Sequence, residues 1–190
     1  MMTKVVFPVV ILLAGLMQAQ NNQASTPGSP QANPNQPISQ SGTDRIVKEV
    51  HHELVLLPYY GVFDNLAYRV SPDGTVSLLG QVARPSLKSD AENAVKHIEG
   101  VERVDNQIQI LPTSPMDDQI RLATYRAIYG NSVLSPYGLR AVPPIHIIVD
   151  QGHVTLEGVV AKQMDKQVAE MQAKSVPNVF SVTDNLRVEE

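Results

Sequence analysis

The 190-residue chain contains no cysteine. No disulfide framework can brace it, no thiolate can ligate a metal, and no lipid can be attached through the cysteine of a bacterial lipoprotein. Tryptophan is absent and phenylalanine occurs three times, so hydrophobic cores must be aliphatic. Lys and Arg number 15 against 19 Asp and Glu, for a formal net charge of −4. This lack of a basic excess argues against nucleic-acid binding. The most apolar stretch, Val5 to Met17, falls short of the roughly 20 apolar residues of a spanning helix. It follows Lys4 and has the length of a signal-peptide hydrophobic region. Residues 1–19 are therefore expected to be an export signal, with Ala19 the small residue for cleavage. Met17, two positions earlier, departs from the usual small-residue pattern, and a retained N-terminal anchor is the alternative. Either way the rest of the chain leaves the cytoplasm, to the periplasm, and the mature protein is expected to have no transmembrane span.

Catalytic signatures are missing as well. There is no G-x-S-x-G, no H-E-x-x-H and no phosphate-cradling loop ending in Gly-Lys-Ser/Thr. Of the five histidines, His51 and His52 are neighbours that would project about 100° apart on a helix. His97, His146 and His153 fall on separate elements, so surface and turn roles are expected. No catalytic residue, cofactor or metal is expected.

What the chain does have is a polar tract followed by a repeat. Residues 20–42 are mostly Gln, Asn, Ser and Pro, a composition that cannot bury enough surface to fold. They are expected to be a disordered linker. Beyond it, Gly74 and Gly80 recur as Gly152 and Gly158, 78 residues on. The same offset carries Val76, Leu78 and Val82 onto Val154, Leu156 and Val160. It also carries Lys88, Ala91 and Glu92 onto Lys166, Ala169 and Glu170, and Val101 and Val104 onto Val179 and Val182. The first helices are offset by only 74, which leaves about four extra residues before the first strand of the second copy. Such ordered self-similarity marks a duplication.

Each copy shows the same element order. Ile46, Val47, Val50, Leu54 and Leu57 share one helix face, with Thr43 or Asp44 as N-cap and Pro58 as terminator. A strand over 66–70 leads through Ser71-Pro72-Asp73-Gly74, a turn signal, to an alternating strand over 76–82. Pro85 and Ser86 open a second helix that Gly100 caps, and a last strand runs over 104–110. The second copy repeats this with helices over 120–129 and 162–174 and strands over 145–149, 154–160 and 180–188. The predicted fold class is α+β, an α/β sandwich. It comprises two tandem α-β-β-α-β modules, 43–112 and 113–190, each a three-stranded mixed sheet packed against two helices. Modules so small bury only about 60% of their unfolded surface, so an interface between them is expected.

The Gly-x-Val-x-Leu-x-Gly strand at 74–80 and 152–158, each followed by a helix and then by Val101-Glu102-Arg103-Val104-Asp105-Asn106 or Val179-Phe180-Ser181-Val182-Thr183-Asp184, resembles the BON domain family. Two departures are Asn178 for the family's glycine at the end of the second helix, and Asp184 where the first copy has Asn106. The resemblance implies attachment to a phospholipid surface or to an envelope protein partner, a link to osmotic and envelope stress, and no catalytic residues.

Two surfaces stand out. On the first helix of the second module, Ile120, Ala123, Thr124, Ala127 and Asn131 are expected to face inward. Arg121, Leu122, Tyr125, Arg126 and Tyr129 would then point outward. A stripe of Arg, Tyr and Leu suits an anionic lipid interface, and packing against the first module or the 130–144 loop is the ordinary alternative. Pro58 to Phe63 and Pro136 to Arg140 are apolar and aromatic loops expected to cover the ends of their own cores. Met164, Val168 and Met171 form a further stripe expected to lie in the module interface. Gly74, Gly80, Gly152 and Gly158 are read as structural, because a glycine inside a strand permits close backbone approach. The chain is thus expected to be a non-catalytic, exported binding protein of the phospholipid surface or envelope. The alternative is a periplasmic protein-protein interaction module without lipid binding.

Overall fold

The computed structural model describes residues 38–189. The expected export signal and all but the last five residues of the expected linker lie outside them. The linker's expected end at residue 42 is passed by a helix, α1, that runs Gln40–Val55. Ser39, not Thr43 or Asp44, is its N-cap and accepts from the Gly42 N–H at 3.3 Å. The strands β1 (Asn65–Val70) and β2 (Thr75–Val82) pair antiparallel through the Ser71–Gly74 turn. Helix α2 (Pro85–Val95) starts on a proline that needs no N–H partner. It returns the chain so that β3 (Arg103–Asn106) and β4 (Gln109–Ile110) both lie parallel to β2.

The last strand is therefore one path broken at Gln107 and Ile108. Ile108, 1% exposed, plugs the core there. Asn106 holds the break, donating to the Lys88 carbonyl at 2.8 Å and accepting from the Ile108 N–H at 3.2 Å.

The second module repeats the order with α3 (Pro115–Tyr129), a 3-10 turn (Ser135–Leu139), β5 (Ile145–Asp150), β6 (His153–Val160), α4 (Gln163–Lys174), β7 (Ser181–Asp184) and β8 (Arg187–Val188). Its sheet order β5-β6-β7, with β8 also on β6, matches that of the first. Helix α3 begins five residues before the periodic stretch over 120–129, capped by Ser114. Asp117 on its first turn is 2% exposed and accepts from the Gln151 and Gly152 N–H groups, which fixes the β5–β6 turn to the helix. Where Asp184 replaces Asn106, the carboxylate cannot donate. Lys166 lies 3.9 Å from it and donates to the Leu186 carbonyl at 2.6 Å, taking over the bridge from helix to broken strand.

At the helix end, Asn178 takes φ 66°, the left-handed conformation that Gly100 takes in the first module. Gly80 and Gly158 sit in mid-strand at φ 111° and 122°. A Cβ at either would overlap a backbone carbonyl oxygen, that of Asn65 or of Pro144.

Two aliphatic cores result. One is built on Ile46, Val50, Leu78 and Leu87, the other on Ile120, Ile128, Ile147 and Leu156. Residues 38–189 fall in one compact unit, and the modules meet within it. The meeting place differs from the expectation: Met164 (65% exposed) and Met171 (58%) stay on the surface. Module 1 instead docks on the outer edge of β5.

Candidate functional site

The strand β5 is the edge of its sheet, and its outward backbone groups need partners. Helix α3 supplies two. Arg121 reaches along its apolar stem and donates through Nη2 to the Val149 carbonyl at 2.7 Å; its Nη1 meets Asp118. The Tyr129 hydroxyl donates to the Ile145 carbonyl at 2.6 Å, and burial raises the phenol's pKa above its ordinary value. Between them the Ile147 N–H donates to the Val62 carbonyl of module 1 at 2.7 Å. One segment of the first module thus adds to the sheet edge of the second.

Side chains reinforce this contact. Val62 and Phe63 pack on the second core. The Phe63 ring meets Tyr125 edge-on at 6.2 Å, and Tyr125 leans on Tyr129 at 4.9 Å. The Tyr60 ring packs on the first core and stacks on His146 at 5.6 Å. His146 is 9% exposed, Asp64 is 4% exposed, and the Asp64 carboxylate accepts from the Gly61 and Ala83 N–H groups. Burial lowers the pKa of His146 and raises that of Asp64.

These observations redraw the stripe read from the sequence. Arg121 (5% exposed) and Tyr129 (9%) are buried against β5, and Tyr125 is half-buried under Phe63. Only Leu122 and Arg126 point to solvent. The buried face of α3 runs through Asp117, Ile120, Arg121, Thr124, Ile128 and Tyr129. Ala123, Ala127 and Asn131 flank it, each only half-buried. The physical reason is the exposed sheet edge, which draws long side chains that can satisfy its carbonyls.

The aromatic loops divide similarly. Tyr60 and Tyr137 each cover their own core; the Tyr137 hydroxyl donates to Asp165 at 2.6 Å and accepts from the Ala161 N–H. Tyr59 is exposed beneath the Arg84 guanidinium, 4.9 Å from its ring centre, while Val62 and Phe63 cover the neighbouring module. His146 is a buried interface residue rather than a surface one. Sequence reading missed Val62, Phe63, Asp64 and His146 as contact residues. The available signal was a scarce phenylalanine placed in a loop.

The first module presents the same positions differently. At the offset of 74, the residues Val47, Lys48, His51, His52 and Val55 stand where Arg121, Leu122, Tyr125, Arg126 and Tyr129 stand in α3. With Tyr68, the counterpart of Ile147, they line an open groove of about 470 Å3.

His153 Nδ1 and Ser181 Oγ lie 2.7 Å apart; both residues are exposed, and among the described residues no carboxylate bonds the imidazole. Among the described residues no cluster of three His, Asp or Glu is arranged to hold a metal, and no helix is long and apolar enough to cross a membrane.

Two α-β-β-α-β modules, joined through a sheet edge and a helix-strand groove, define a duplicated α+β fold. The chain belongs to the BON domain family, whose model matches residues 46–112 and 131–190. Among solved structures it is similar to the C-terminal domain of CdsD, a structural protein of the type III secretion system of Chlamydia trachomatis. The identity is 12%, over 76% of this chain and 98% of that one, with a TM-score of 0.29. A second CdsD structure is similar at 12% identity, over 77% and 94%, with a TM-score of 0.27. No curated protein matches the chain.

Proposed function

We propose that this chain is a non-catalytic, exported protein of the bacterial envelope that acts by holding extended polypeptide segments in the grooves of its BON modules. The observation behind this reading is the Val62–Ile147 contact, in which an edge backbone bond and two apolar side chains capture a segment that is not part of the sheet. Peptide capture at a sheet edge uses these ingredients, main-chain bonding for affinity and side-chain contacts for selection. The apolar start of the chain supports a periplasmic location. The tandem arrangement is of the kind found in the periplasmic protein OsmY, which makes envelope or osmotic stress protection the setting of the proposal.

A phospholipid surface is the second reading. Leu122 and Arg126 remain outward on α3, 47% exposed in the case of Leu122, but Arg121 and Tyr129 are committed to β5. Co-sedimentation of the exported chain with phosphatidylglycerol and phosphatidylcholine vesicles, at low and high salt, separates the two. The expected result is no salt-sensitive binding to the anionic vesicles, with crosslinking in intact cells retaining a polypeptide partner. Anionic binding that disappears in Leu122→Glu/Arg126→Glu would overturn the protein reading in favour of lipid.

A further inference from the structure

We propose that the open groove of module 1 receives the segment Leu139–Val142 of a second copy of this chain, repeating between molecules the contact that joins the two modules within one. The inference rests on the protein-binding reading above.

The groove side of the argument starts from register. Tyr68 pairs with Leu78 as Ile147 pairs with Leu156, so the Tyr68 N–H lies on the outer edge of β1 as the Ile147 N–H lies on that of β5. Among the described residues no other segment bonds it. In module 2 the flanking carbonyls are satisfied by Arg121 and Tyr129. In module 1 those two positions hold Val47 and Val55, which cannot donate, and the side chains are 37% and 36% exposed. The result is a groove walled by Val47, Val55 and the Tyr68 ring, whose hydroxyl donates to the Val47 carbonyl at 2.9 Å, with Lys48, His51 and His52 also lining it, beside a Tyr68 N–H that no other described segment bonds. In the other module the corresponding strand edge is covered by Val62 and Phe63.

The occupant side follows from the repeat. Counted back from the paired strands, Ala141 and Val142 stand before β5 where Val62 and Phe63 stand before β1. This stretch holds no neighbouring module. Leu139 is 88% exposed, the most exposed large apolar side chain among the described residues, and Arg140 is extended at φ −79° and ψ 149°. The extra residues of the second copy lie in this loop. One chain therefore offers one open groove and one unoccupied insert, and the two do not meet within it. A head-to-tail contact between copies satisfies both, and it propagates because each added copy brings a fresh groove or insert.

The absence of cysteine makes the test direct. Full-length chains carrying either Val55→Cys or Leu139→Cys, distinguished by mass tags, are mixed and mildly oxidised. A mixed Val55→Cys to Leu139→Cys disulfide is expected well above that of a control mixture of Val55→Cys with Met164→Cys, whose side chain is exposed on α4. Adding Tyr68→Ala or Val47→Asp to the groove chain is expected to abolish the mixed product, with thermal unfolding checking that each chain is folded. A mixed product no greater than the control overturns the proposal. If an envelope protein is then crosslinked through Val55→Cys, the protein-binding reading survives and only the second copy is lost as occupant. Binding to vesicles alone would remove both.

Discussion

The Tyr60 ring and the His146 imidazole stack across the two modules, centroids 5.6 Å apart and planes at 24°. Desolvation holds the folded-state pKa of His146 below the ordinary histidine value, although Asp64 and Glu157 pull the other way. The unfolded chain therefore takes up this proton first, near pH 6.5. Stability that is complete above that value is lost as pH falls through it toward the folded-state pKa. Asp64, raised by burial, acts in the opposite sense and only in the carboxylate range, where falling pH favours the fold. Melting temperature should drop between about pH 7 and about pH 5, across the histidine range. His146→Phe, which keeps a stacking ring, should flatten that slope. Equal slopes in both chains would remove His146 as the cause.

Phe63→Ala should loosen the docking without unfolding either core. The ring is only partly buried, so a loss of about 2 kcal/mol is expected, below the ~3–5 kcal/mol of a fully buried aromatic. Hydrogen exchange gives a local readout. In dilute native protein the Ile147 amide should exchange far more slowly than the Tyr68 amide, and Phe63→Ala should narrow the gap. Equal rates in the native chain would contradict the edge pairing.

Two arginines of α3, Arg121 and Arg126, stand on different faces of the helix and should behave unlike each other. Arg121→Ala strips the Val149 carbonyl of its buried charged donor and should cost about 2–3 kcal/mol in chemical denaturation. Arg126→Ala, on the exposed side, should stay within about 0.5 kcal/mol. A loss within about 0.5 kcal/mol for both would restore the outward stripe read from the sequence.

Gly80→Ala and Gly158→Ala should each destabilise by about 2 kcal/mol or more, since positive φ and a carbonyl in the path of the new Cβ act together. Denaturation midpoints measure this directly, and a neutral result at either position would mean that the strand can shift away.

Most of the fold was legible because its determinants are local or repeated. Alternation marked β2 and β6, Pro85 marked the start of α2, and the offset of 78 tied two weak patterns into one strong one. Helix α1 began earlier than read because Ser39 competes as a cap with a composition that otherwise suggests linker. The face of α3 was misread for a physical reason. Arg121 lies nearly two full turns before Ile128 and shares its face, but a guanidinium and a phenol read as outward groups; here their apolar bodies are buried and their polar tips meet the Val149 and Ile145 carbonyls. Phe63 and His146 were not legible as partners, because their contacts cross between modules and no periodicity ties a loop of one module to a strand or helix of the other.

Only Leu111 to Ser114 separates the end of β4 from the start of α3. A tether this short presents one module to the other at an effective concentration on the order of millimolar or more, so even a modest contact stays closed. Proteolysis within those four residues would leave every docking side chain in place, yet the halves would separate on dilution. The first module's grip on the second is thus a product of chain continuity as well as of matching surfaces.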